Sequence, residues 1–148
     1  MLFRSFIIAR KYFNMNTFYI ERQNINTSYR KFAINFCLKS DIKHYFREIN
    51  RGILIKIIQE KISDEKTINL IKLILNNFEG GKGILLGNLT SQFFANVYLN
   101  EPDYFIKHKL KAKFYIRYVD DFVVLHSSKK QLEIWKEQIN LFLKKFKD

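Results

Sequence analysis

The sequence predicts an α+β fold, a small antiparallel sheet with helices packed on one side. Two observations carry that prediction. Short β-branched and aromatic runs occur at Phe36–Asp41 and on either side of Asp120-Asp121, and the segments between and after them place apolar residues at helical spacing. The resulting order of strand, helices, hairpin and helix is that of a layered α+β domain. At 148 residues, 47% hydrophobic and 27% charged, the chain is long and apolar enough for one core.

Residues 1–36 are aromatic and basic. Phe6-Ile7-Ile8 and Phe18-Tyr19-Ile20 read as strands, and Asn14, Asn16, Asn24 and Asn26 mark turns. Arg22, Arg30 and Lys31 suit a solvated face and receive no role. Phe36–Asp41 is a strand that ends in an acid. From Arg51 to Ile62 the apolar residues Leu54, Ile57, Ile58 and Ile62 share one helical face. Ser63 is placed to cap the next helix, with Asp64 and Glu65 in its first turn. Ile71, Ile74, Leu75 and Phe78 form that helix's buried stripe, and Gly80, Gly81 and Gly83 end it. Leu89–Leu99 is a further helix with Leu89, Phe93 and Val97 spaced for packing, and Pro102 begins a new turn or kink. Ser127 or Ser128 caps a last amphipathic helix. Its inner face is Leu132, Trp135, Ile139, Phe142, Leu143 and Phe146, and its outer face carries Lys129, Lys130, Lys136, Lys144 and Lys145.

The stretch Phe114–His126 concentrates the chemistry. Phe114, Ile116 and Tyr118 alternate with Tyr115, Arg117 and Val119, and Phe122–Leu125 is a second β-type run. The pair reads as a hairpin with Asp120 and Asp121 at its bend. Aspartate is an ordinary turn residue, so turn chemistry alone accounts for such a pair in many hairpins. Here no Gly or Asn is present to supply the positive φ of a tight turn, and the flanks are apolar. Two carboxylates beside apolar surface repel one another and are costly unless a cation offsets them. A divalent cation is the economical explanation, and it calls for a third carboxylate. Asp41 is the candidate, able to face Asp120 across neighbouring strands. Three carboxylates suit Mg²⁺, with Mn²⁺ as an alternative, and two such ions serve in-line phosphoryl transfer.

The net charge of +12 makes a polyanion the first partner to consider, although a lysine-biased surface also produces such a value. Cys37 is the only cysteine, which excludes an internal disulfide, and Cys/His zinc spacing is absent. No apolar run reaches the roughly 18 residues of a membrane span. Residues 1–20 lack acids and carry Arg4, Arg10 and Lys11, but their Tyr, Phe and Asn content matches a transit peptide poorly, so a cytoplasmic setting and no membrane partner are expected.

Three motifs in order carry a family resemblance. Asp41-Ile42-Lys43-His44-Tyr45-Phe46 resembles the first catalytic motif of reverse transcriptases, D-I-K-x-[FY]-F. Gly87-Asn88-Leu89-Thr90-Ser91-Gln92 resembles the motif that follows, and Tyr118-Val119-Asp120-Asp121 resembles the Y-x-D-D motif. Residues 37–126, about three fifths of the chain, look like the palm of such an enzyme. The G-N-L-T-S-Q form is similar to that of diversity-generating retroelements and related bacterial or archaeal enzymes. Group II intron and retroviral enzymes more often show P-Q-G at its start. Leu85 departs from the proline frequent in those relatives.

The resemblance implies an RNA-directed DNA polymerase, a nucleotidyltransferase that adds dNTPs to a primer on an RNA template. It implies Asp41 and Asp120 as ligands of two Mg²⁺ ions assisted by the Ile42 carbonyl, and Asp121 as the second, less directly coordinating aspartate. Tyr118 would lie near the primer end, Phe46 would gate against a 2′-hydroxyl, and Gly87, Ser91 and Gln92 would lie beneath the template and nucleotide. It divides the chain into partial fingers over 1–36 and a palm over 37–148 that includes helices at 48–87. No thumb is recognised. The alternative expectation is therefore a non-catalytic, basic nucleic-acid-binding remnant, or half of a split polymerase that works with an accessory or thumb-bearing chain.

Overall fold

A computed structural model describes residues 19–22, 36–77, 80 and 82–147, with the backbone alone described at 19–22 and 145–147. The fold is α+β. Strands β1 (Tyr19–Arg22), β2 (Phe36–Asp41), β3 (Phe114–Tyr118) and β4 (Asp121–His126) form an antiparallel sheet in the order β1-β2-β4-β3. The helices are α1 (Tyr45–Glu48), α2 (Arg51–Gln59), α3 (Glu65–Asn76), α4 (Leu89–Tyr104) and α5 (Lys129–Lys147), with a π-helical segment over Phe105–Lys109. The strand expected at Phe6-Ile7-Ile8 lies outside the described residues. Among the described residues no helix is long and apolar enough to cross a membrane.

Three helix starts have a local cause in a side-chain cap. The Asn50 Oδ1 accepts hydrogen bonds from Gly52 N and Ile53 N at 3.0 and 3.2 Å and opens α2. Asp64, rather than Ser63, caps α3: its carboxylate accepts the Thr67 N–H at 2.7 Å, and hydrogen bonding from the Thr67 side chain first, then from its backbone N–H, holds the Asp64 pKa below the ordinary value. An ionised cap satisfies an orphan N–H and also complements the helix dipole, which a serine hydroxyl does less well. Ser128 caps α5, accepting from Gln131 N at 3.4 Å.

Among the described residues, two apolar clusters make the core. The first joins α1–α4 through Tyr45, Ile49, Leu54, Ile58, Ile68, Phe94, Ala95 and Leu99. The second packs the sheet on α5 through Leu38, Phe122 and Val124 against Leu132, Trp135 and Ile139. Ile42, the residue after Asp41, packs against both. At an upper-bound value of about 25 cal/mol per Å² of apolar surface removed from water, burial of side chains such as Leu38, Val124, Leu132 and Ile139 is the main stabilising term.

Two expected faces and the place of one proline differ. In α4 the buried residues are Ser91, Phe94, Ala95, Tyr98, Leu99 and Pro102, while Leu89 and Phe93 are exposed. This helix is apolar on most sides, so spacing alone selects no face; the small Ser91 and Ala95 mark the side where neighbours approach. In α3 Ile68 and Leu75 are buried, but Ile74 is exposed, and the helix ends at Asn76, before the glycines. Pro102 lies inside α4 rather than starting a turn. The break comes after it, in the π-helical segment, as expected when an i→i−4 bond is lost.

Candidate functional site

The site is built from the ends of β2, β3 and β4. β2 pairs with β4 so that Phe36 faces His126, Leu38 faces Val124 and Asp41 faces Asp121. β3 pairs with β4 so that Tyr118 faces Asp121. Directly opposed residues in an antiparallel pair carry their side chains on the same face. Tyr118, Asp121 and Asp41 therefore form one row across three strands. The next row on that face is Ile116, Val123 and Lys39. Ile116 and Tyr118 are 67% and 69% exposed, so this end of the face is open at β3. The alternate residues Leu38, Phe122 and Val124 face the helices.

This register corrects one expectation. Asp41 faces Asp121, not Asp120. The hairpin closes on Val119-Asp120 rather than on the two aspartates, and a one-residue shift exchanges which carboxylate shares a face with Asp41. Asp120 is held differently: its carbonyl accepts the Ile42 N–H at 3.2 Å, tying the bend to the segment that follows Asp41. All three aspartates are half-buried.

The bend is strained. Val119 has φ of +55°, a region that a β-branched residue rarely adopts. His44, three residues after Asp41, has φ of +52°. Lys111 is the third non-glycine residue with positive φ among the described residues, so two of the three flank the aspartates. Strain of this kind persists where the surroundings over-determine it, and it clusters at functional sites.

Arg117 is hydrogen-bonded to this bend and to α4. Its Nε and Nη2 donate to Oδ1 and Oδ2 of Asp103 at 2.8 and 2.7 Å. Its Nη1 donates to the Val119 carbonyl at 2.9 Å and to Asn96 Oδ1 at 3.2 Å. The Tyr115 hydroxyl donates to the same Asp103 Oδ1. Burial first, then the neighbouring carboxylate, pushes the Tyr115 pKa far up, and the Asp103 hydrogen bonds raise that of Arg117. On the other side of the site, the Tyr45 hydroxyl donates to the Ala95 carbonyl, and burial raises its pKa strongly. One stretch of α4, Ala95-Asn96, thus supports both acid-bearing segments. Sequence reasoning missed this network, since no spacing rule links Arg117 to Asp103 fourteen residues earlier.

The remaining residues are placed as follows. Phe46 is half-buried at the margin of the helical core, edge-on to Tyr45 at 5.4 Å. Gly87 has φ of +97° in the exposed turn before α4. Gln92 is exposed, whereas Ser91, one residue earlier, is buried at 6%. Ser91 therefore packs α4 rather than meeting solvent.

Carboxylate oxygens and a backbone carbonyl are hard donors of the kind that bind Mg²⁺. Among the described residues, no group of three or more His, Cys, Asp or Glu side chains converges closely enough to hold a metal ion by itself. Mg²⁺ is commonly held by one or two carboxylates with substrate phosphates completing its shell, and the Asp41–Asp121 pair with Asp120 beside it fits that mode. Opposed like charges on paired strands repel one another, and a cation bound at this row would lower that repulsion. No protein-family model matches the chain, and no curated protein matches it significantly.

Proposed function

We propose that this chain is the catalytic palm of an RNA-directed DNA polymerase, adding dNTPs to a primer 3′ end on an RNA template. The observation that carries the reading is the β2–β4 register, which brings the acid of Asp41-Ile42-Lys43-His44-Tyr45-Phe46 opposite an acid of Tyr118-Val119-Asp120-Asp121 on one sheet face. A conjunction of two remote motifs at one place is a stronger ground than either alone.

In this reading Asp41 and Asp120, with the Ile42 carbonyl, hold the cations, and Asp121, opposite Asp41 in the register, adds negative charge beside them. Mg²⁺, when bound, neutralises the triphosphate and favours ionisation of the primer 3′-hydroxyl. Tyr118 presents an exposed ring to the primer end, beside the acids. Phe46 closes the side on which the sugar enters, and its ring excludes a 2′-hydroxyl. Gly87 and Gln92 lie where template and incoming nucleotide pass, while Ser91 fixes the helix beneath them. The net charge of +12 serves a phosphate backbone.

The test is primer extension on an RNA template with Mg²⁺ and dNTPs. The wild type adds nucleotides and Asp120→Asn, which keeps shape but not charge, does not. Undiminished extension by Asp120→Asn would refute the assignment. A second reading, a basic nucleic-acid-binding domain without catalysis, is favoured by the charge and by the unclosed carboxylate group. It predicts salt-sensitive binding of template–primer with no extension by the wild type.

A further inference from the structure

We propose that Arg117 is the positioning residue of the aspartate turn, and that Asp103 and Asn96 of α4 are the anchors through which it acts. This inference rests on reading that turn as part of a cation site. The turn residue Val119 sits at φ of +55°, which its branched side chain disfavours, so something must hold it there. The Arg117 Nη1 bond to the Val119 carbonyl, at 2.9 Å, is placed to do so.

A guanidinium can hold a backbone carbonyl in a fixed place only if it is itself fixed. Here a bidentate pair with Asp103 fixes its plane, and Tyr115 donates to the same carboxylate and orients it. Asn96 and Asp103 are seven residues apart, two turns of α4, and so lie on one side of that helix. The side chains of Arg117 and Asp103 are 14% and 23% exposed, which shields the pair from screening by solvent.

The consequence reaches the acids through the backbone. Val119 precedes Asp120, and the Asp120 carbonyl accepts the Ile42 N–H at 3.2 Å. That one bond joins the two acid-bearing segments at the bend. If Val119 relaxes to negative φ, the Asp120 peptide turns, the bond to Ile42 opens, and Asp120 and Asp121 move relative to Asp41. Arg117 acts on their spacing through the Val119 carbonyl, from behind the row.

The Ile42 amide reports this directly. Hydrogen exchange should be measured residue by residue in the wild type, Arg117→Lys and Asp103→Asn, alongside titration with Mn²⁺ alone. Both variants keep a polar side chain of similar size, but Arg117→Lys loses the planar fork and Asp103→Asn loses the charge that locks it. We expect Ile42 exchange to accelerate at least tenfold in both, with the central Leu38–Val124 pair of the ladder unchanged. Mn²⁺ affinity should fall by about 10- to 100-fold, the usual effect of removing support behind metal ligands. A merely structural role would move Leu38 and Val124 together with Ile42, and that result would overturn the inference, as would wild-type values in Arg117→Lys. Absence of Mn²⁺ binding by the wild type would instead refute the cation site, and Ile42 exchange alone would then decide whether Arg117 holds the turn.

Discussion

Gly83→Ala should destabilise the protein more than any other single glycine replacement among the described glycines. Gly83 has φ of +83°, and a Cβ there would lie 2.9 Å from the Arg47 carbonyl oxygen and 3.1 Å from the Phe46 carbonyl oxygen. Neither obstacle is a mobile side chain. The loop cannot easily retreat, because Gly83 N donates to the Ile49 carbonyl at 2.8 Å, Ile84 N donates to that of Phe46 at 2.9 Å, and the buried Arg51 donates through Nε to the Gly83 carbonyl at 2.7 Å. The left-handed backbone costs alanine about 1–2 kcal/mol and the forced shift about 1–3 kcal/mol more, so a loss of roughly 2–5 kcal/mol is expected. For a domain of this size that lowers the melting temperature by on the order of 10 °C. Urea denaturation measures the loss as a shift in midpoint at constant slope. Gly80→Ala is the control: φ is +95° but no atom lies within 4 Å of its Cβ position, so it bears the backbone cost alone. Equal losses in the two variants would show that close approach of the Gly83 loop to α1 is not a constraint. That loop leads into Gly87–Gln92, so the same comparison tests how firmly the start of α4 is set.

Two further outcomes are expected. Phe46→Ala should admit ribonucleotides more readily in single-nucleotide incorporation, and unchanged discrimination would mean that the half-buried ring serves the core alone. Burial raises the pKa of Tyr45, Tyr98 and Tyr115 above the ordinary tyrosine value, so their contribution to stability is intact below about pH 10 and falls as the pH rises beyond it, where the unfolded chain ionises first. Thermal melts from pH 7 to 11 should show that loss, and Tyr45→Phe should flatten it while leaving the Ala95 carbonyl without its donor, at about 1–3 kcal/mol near neutrality. A melt curve for Tyr45→Phe parallel to that of the wild type would remove Tyr45 from this account.

Elements set by local forces are legible in the sequence, and those set by distant contacts are not. Phe36–Asp41 is legible as a strand with its observed bounds, and the amphipathic α5 with Leu132, Trp135 and Ile139 inward is legible too, because local periodicity and burial agree there. In α4 they do not agree: Leu89, Phe93 and Val97 form one apolar stripe, Phe94, Ala95, Tyr98 and Leu99 another, and tertiary packing chooses the second. The candidate site was legible as a set of residues, with Asp41 and the Asp120-Asp121 pair at adjoining strand ends. Its register was not. That goes with a positive φ at Val119, which the chemistry of valine disfavours, and the Val119 carbonyl is bound by Arg117, itself paired with the distant Asp103. Ser91 shows the same limit, since a motif position says nothing of whether a hydroxyl faces solvent or core.

The central claim is that residues 41–42 and 120–121, remote in sequence, form one divalent-cation site on the open sheet face. Mn²⁺ broadens the amide resonances of residues near it, so a titration followed by NMR locates the ion directly. The account predicts that the amides of Asp41, Ile42, Asp120 and Asp121 broaden first and together, and that Asp41→Asn abolishes broadening at 120–121 as well as at 41–42. Broadening confined to other acids, such as Glu60 or Asp64, or persistence at 120–121 in Asp41→Asn, would contradict it.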